Sequence, residues 1–199
     1  MLYRKWNVGA PDVKVSAELA KETGNGKLLC DVLAARGIDN AEQAHAMLDV
    51  DVPMPSPLLM RDMDKAVGRI QAAIENEEPI VVFGDYDVDG ITATALLYTY
   101  LENSGAVVYY KLPSRTDDGY GLAEAQVDQI ADSGIGLIVT VDTGTSAFEA
   151  AQRAAERGVD IVMTDHHLPQ AELPQLASLA FPCRTDAESG LCCLSGLGV

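Results

Sequence analysis

The sequence predicts an α/β fold, a parallel doubly wound sheet preceded by a small helical N-terminal region. Three observations carry this. First, short runs of β-branched and apolar residues at 80–84, 106–111, 136–141 and 160–164 alternate with segments of helical periodicity. Such alternation implies parallel strands joined by right-handed crossovers, with helices on both faces. Second, three of these runs end in acid or histidine, at Asp85, at Asp142 and at Asp165-His166-His167. Ligands of open parallel sheets collect at those carboxyl ends. Third, the stretch VPMPSP at 52–57 must run extended, because each proline lacks a backbone N–H and disfavours helix. It separates an N-terminal helical region with its connector, 1–57, from the α/β domain, 58–199.

In chain order, residues 1–23 mix polar and apolar positions around Gly9 and Pro11, and only 13–22 suggests a helical turn or two. Two short helices follow at 26–36, closed by Gly37, and at 40–48. In the second, Asn40 suits an N-cap, and Ala41, Ala44, Met47 and Leu48 recur at helical spacing. Residues 60–76 carry Met63, Val67, Ile70, Ala73 and Ile74 as one apolar stripe of an amphipathic helix, which leads into the strand at 80–84. Further helices are expected at 90–104, 122–133 and 146–157, and 179–181 reads as one more strand.

A chain of 199 residues with 48% hydrophobic content is long enough for one full core and a small accessory piece. No apolar run approaches the roughly 18 residues of a membrane-spanning helix, and the opening MLYRKWNVGAPDV lacks the apolar centre of a signal peptide. A cytoplasmic location is expected. Cys30, Cys183, Cys192 and Cys193 show neither C-x-x-C spacing nor paired histidines, so zinc is disfavoured and reduced thiols are expected. With 14 basic against 30 acidic side chains the net charge is −16, which opposes non-specific attraction to nucleic acid. This chain alone is therefore not expected to grip DNA avidly.

The stretch 80–94, IVVFGDYDVDGITAT, places Asp85, Asp87 and Asp89 at alternate positions directly after a strand. Carboxylates a few Å apart repel by about 4 kcal/mol at intermediate dielectric, so a divalent cation is the natural resident. An EF-hand loop opens in the same way but needs Glu at its twelfth position, which here is Leu96. Asp85-Tyr86-Asp87-Val88 also fits the nucleophile motif of haloacid-dehalogenase-type phosphatases, whose later lysine could only be Lys111. An acidic turn capping a helix is the plainest alternative. His166 and His167, two of only three histidines, stand beside an acid at another strand end, which favours a shared site.

Taken together, DYDVDG at 85–90, R-x-x-D-G-Y-G-L at 115–122, VTVDTG at 139–144 and TDHH at 164–167 resemble the DHH phosphoesterase family, and within it the single-strand-specific exonucleases. The resemblance covers roughly residues 60–199 and rests on four motifs in order. It departs at DTGT, where DNGI is commoner, and the sequence stops before the family's last metal-binding Asp. Ser195 to Val199 resembles the family's G-x-G-V turn, which precedes a helix.

The resemblance implies a metal-dependent 5′–3′ exonuclease, a phosphodiesterase acting on single-stranded DNA in repair and recombination through a water activated by two metal ions. It assigns Asp87, Asp89, Asp142 and His166 as metal ligands, with Asp142 bridging and Asp85 either a ligand or a support behind one. Nitrogen with carboxylate oxygen suits Mn²⁺ better than Ca²⁺, and leaves Mg²⁺ open. Asp142, His166 and His167 would form the catalytic group. His167 would donate to a phosphate oxygen, assist the leaving group, or orient a ligand. Arg115, Gly119 and Tyr120 would contact substrate: Arg115 as a phosphate fork, Tyr120 as a stacking ring. Much of the grip on DNA would belong to a C-terminal domain beyond this sequence. Two other functions remain open. One is a relative acting on short oligonucleotides or nucleoside phosphates, which carries a histidine a few residues before the second Asp, where Phe83 and Gly84 stand here. The other is a non-catalytic DNA-replication scaffold, in which such ligands are eroded.

Overall fold

The computed structural model describes residues 9–49, 56–114, 121–168, 172–184, 191, 194–195 and 198–199. The chain forms two compact units, Met1–Met54 and Pro55–Val199. Among the described residues no helix is long and apolar enough to cross a membrane.

The first unit packs α1 (Val13–Thr23), α2 (Lys27–Ala35) and α3 (Ala41–Leu48) around Leu19, Cys30, Leu33 and Ala44. The α1 helix is longer than its sequence pattern suggests because both ends are capped. Asp12 accepts from the Lys14 and Val15 N–H groups, and Gly24 closes the helix at φ 73°. Asn40 caps α3 through the Gln43 N–H.

The second unit begins with α4 (Met63–Glu75) and then alternates β1 (Ile80–Phe83), α5 (Val88–Asn103), β2 (Val108–Lys111), α6 (Glu124–Asp132), β3 (Leu137–Thr140), α7 (Phe148–Arg157), β4 (Asp160–Thr164) and β5 (Ser178–Ala180). The five strands are all parallel, in the order β2-β1-β3-β4-β5. Successive residues of a strand face opposite sides, and the core divides accordingly. Ile80 and Val82 of β1 and Leu137 and Val139 of β3 pack with α4 and α5, whereas Val81, Phe83 and Ile138 pack with α6 and α7. Helices thus cover both faces, as the sequence alternation implies.

The strand order fixes where a ligand can sit. From β1 the chain goes to β2 on one side, and β3 lies on the other, so the order reverses between β1 and β3. Chain segments leaving the carboxyl ends of these two strands diverge and open a crevice there. The α4–α5 face carries a second hollow, an apolar cavity of about 650 Å³ lined by Ile70, Leu96, Tyr100 and Val141, with Gly198 and Val199 at its border.

Candidate metal centre

The site is built by the segments that leave β1, β3 and β4. After β1 the backbone turns under close contact. A Cβ at Gly84 would collide with Thr94 Oγ1, and one at Gly90 would lie 2.5 Å from both the nitrogen and the oxygen of Asp85. Two glycines therefore let the start of α5 press against the strand end. The α5 helix begins at Val88, two residues earlier than its sequence pattern suggests, because Asp87 caps it by accepting from the Gly90 N–H at 3.0 Å. That hydrogen bond is the main cause holding the Asp87 carboxyl below its ordinary pKa, against a smaller opposing effect of burial. Asp85 is buried, with Oδ1 accepting from the Tyr86 N–H at 2.7 Å.

Asp142 follows β3 and is only 1% exposed. Its φ of 59° lies in the left-handed region, an uncommon conformation outside glycine that Asp and Asn tolerate best. Burial, then the charges of Asp87 and Asp89, push its pKa up to about 6. Its Oδ1 is 3.1 Å from His166 Nε2. The pair is not aligned as a hydrogen bond, since this buried oxygen has no hydrogen-bond partner among the described residues. An orphaned carboxylate oxygen facing an imidazole nitrogen is what a site built for a cation leaves behind when only protein atoms are counted.

Among the described residues two groups bring donor atoms within 4.8 Å of one another, Asp85-Asp87-Asp142 and Asp142-His166-His167. Asp142 belongs to both. Asp89, in the first turn of α5, places Oδ2 3.9 Å from His166 Nε2 and belongs to neither group. Carboxylate oxygens with imidazole nitrogen form a donor set that fits a divalent transition ion, and the unpartnered Asp142 oxygen agrees with it.

After β4, Asp165 is 1% exposed. Its Oδ1 meets the His166 N–H at 2.7 Å, the His167 N–H at 3.2 Å and His167 Nδ1 at 2.7 Å, while Oδ2 accepts from the Thr145 N–H at 3.0 Å. Burial works against charge on the His167 ring, but the Asp165 hydrogen bond and charge, with smaller contributions from Asp142 and Asp85, raise its pKa on balance.

Arg115, Gly119 and Tyr120 lie outside the described residues. Gly121, which follows them, has φ 79°, and a Cβ there would lie 3.5 Å from Thr143 Oγ1. The end of the 115–122 motif thus abuts the loop that carries Asp142. The part played by the Thr145 N–H escapes sequence reading, since any residue but proline supplies the same group.

Comparisons with known proteins agree with the fold. The family described as DHH family, N-terminal domain, matches residues 79–198. The single-stranded-DNA-specific exonuclease RecJ of Bacillus subtilis is 35% identical over 196 residues, 98% of this chain and 25% of the relative. RecJ of Escherichia coli is 34% identical over 173 residues, 86% of this chain and 30% of the relative. A crystal structure of exonuclease RecJ bound to manganese matches with a TM-score of 0.65 at 30% identity, covering 74% of this chain and 37% of that one. RecJ of Thermus thermophilus in complex with Mn²⁺ matches in fold, with a TM-score of 0.62 at 24% identity over 93% of this chain and 26% of that one. The chain spans about a quarter to a third of the length of these two curated relatives.

Proposed function

The chain belongs to the DHH family, and from that premise we propose that it carries the metal centre of a RecJ-type exonuclease. Its reaction is hydrolysis of single-stranded DNA from the 5′ end, in DNA repair and recombination. The observation that carries the reading is Asp142, a buried carboxylate at the switch point of the sheet, in a left-handed backbone conformation, with an unpartnered oxygen 3.1 Å from His166. Similarity to RecJ over 98% of the chain supports it, as does the manganese in a RecJ relative of 30% identity.

Asp85, Asp87, Asp142 and His166 hold the metal in this reading, with Asp89 completing the set from the first turn of α5. Mn²⁺ is the ion of choice and Mg²⁺ the alternative. Bound there, divalent ions would supply Lewis-acid charge against the phosphate and make water a nucleophile at neutral pH. The protein's part is to prepare the place. Asp87 is kept ionised by the N-terminus of α5. Asp142, with its pKa raised to about 6 by burial and by Asp87 and Asp89, is a carboxylate at neutral pH whose charge a bound cation would offset. His167 meets the phosphate, Arg115 grips a phosphate through its planar fork, and Gly119 and Tyr120 shape the path of the strand.

The net charge of −16 opposes a polyanion, so this stretch binds single-stranded DNA weakly by itself. We place the remaining grip, and one further metal-binding Asp, in a continuation past Val199, in keeping with a chain that spans a quarter of its relative. A cytoplasmic location fits this work.

The test is hydrolysis of a 5′-labelled single-stranded oligonucleotide with Mn²⁺, by this chain and by a version extended through the downstream region. The extended protein should release nucleotides from the 5′ end and the 199-residue chain should be slow. Equal turnover by the two would overturn the incompleteness. No Mn²⁺-dependent hydrolysis by either would overturn the function.

A further inference from the structure

Asp165 is buried and accepts from three backbone N–H donors, Thr145 on Oδ2 at 3.0 Å and His166 and His167 on Oδ1 at 2.7 and 3.2 Å, while Oδ1 also lies 2.7 Å from His167 Nδ1. Oδ1 faces the ring while already accepting from both histidine amides, and an oxygen whose lone pairs are engaged by two N–H groups is a poor place for a proton directed at Nδ1. The hydrogen shared with the ring must then sit on Nδ1. We propose that Asp165 is a positioning residue with two tasks: it locks His167 in the Nδ1–H tautomer, making Nε2 the nitrogen that works in the site, and it clamps the loop carrying Asp142 to the loop carrying the two histidines.

The first task follows from the ring's inventory. With Nδ1 spent on Asp165, Nε2 accepts while the ring is neutral and donates only after the ring gains a second proton. The second follows from position. Thr145 lies three residues after Asp142, and its N–H is bound by a carboxylate that also binds both histidine amides. A partner that orients ligands in this way commonly matters tenfold or more in metal affinity. The consequence for catalysis rests on the function proposed above, but the geometry does not.

The tautomer is read directly by long-range ¹H–¹⁵N correlation spectra of histidine-labelled, metal-free protein, at a pH well above the ordinary imidazole range. Wild type should show His167 protonated at Nδ1. Asp165→Ala should move the hydrogen to Nε2, the form a free imidazole side chain prefers. In Asp165→Asn the amide nitrogen must face a donor, and it meets the fewest by turning towards Thr145. The tautomer should then persist while the Thr145 amide exchanges faster and Mn²⁺ affinity by calorimetry falls about tenfold. Protection of β3 amides checks that each variant is folded. A wild-type ring protonated at Nε2, or a folded Asp165→Ala protein still protonated at Nδ1, would overturn the tautomer lock. Unchanged Thr145 exchange and Mn²⁺ affinity in Asp165→Asn would overturn the clamp. Neither the tautomer nor Mn²⁺ affinity depends on nuclease activity, so failure here is distinct from failure of the proposed reaction.

Discussion

Replacing Asp142 by Asn should stabilise the metal-free protein while destroying its metal site. Asn is the informative substitution, because it keeps the side chain's size and tolerates the φ of 59°, where Ala would add backbone strain. The Asp142 pKa is raised from the ordinary 3.8 to about 6, chiefly by burial and then by Asp87 and Asp89. A carboxyl whose folded pKa lies above its unfolded value costs stability once it ionises. The cost is absent below pH 3.8, grows as pH rises to 6, and is constant beyond. At about 1.4 kcal/mol per unit the full cost is about 3 kcal/mol, an upper figure because the site relaxes. Chelator-treated Asp142→Asn should therefore be about 2–3 kcal/mol more stable than wild type at pH 8 and equal to it near pH 3.5. The assay is urea denaturation across that range, followed by hydrogen exchange of β1 and β3 amides so that the N-terminal unit does not contribute. A variant less stable than wild type at pH 8, or a difference independent of pH, would refute the idea that Asp142 is a strained anion awaiting a cation.

The same geometry sets three other outcomes. His166→Ala should weaken Mn²⁺ binding by more than the roughly tenfold to hundredfold that loss of a supporting partner costs, read by isothermal titration calorimetry. Gly90→Ala should destabilise the α/β unit by at least about 2 kcal/mol in urea denaturation, since the added methyl meets the Asp85 backbone, which cannot yield as a side chain could. Arg115→Ala should weaken single-stranded DNA binding in the extended protein and leave Mn²⁺ affinity unchanged; the reverse pattern would remove Arg115 from the substrate path.

Much of this was legible because the central strands β1 and β3 are buried on both faces. Val81, Val82, Ile138 and Val139 belong to continuous apolar runs, and such runs are closed by the buried acids Asp85, Asp142 and Asp165 beyond the strand ends. The strands begin or end within a residue or two of their sequence patterns, the ordinary scatter of element ends. What composition cannot carry is contact. That Asp87 both caps α5 and joins the metal cluster depends on how closely the helix approaches β1, which Gly84 and Gly90 allow. Nor does composition show that Asp89, in the first turn of α5, falls outside the tighter groups while its Oδ2 lies 3.9 Å from His166 Nε2. The strand order, and with it the crevice between β1 and β3, also required the structure.

The most direct measurement is anomalous scattering at the manganese edge from a crystal of the 199-residue chain soaked in millimolar MnCl₂. The account predicts a peak at Asp142, with Asp85, Asp87 or His166 within coordination distance of it. No peak there, in a crystal whose strand-end loops keep the conformation described, would contradict it.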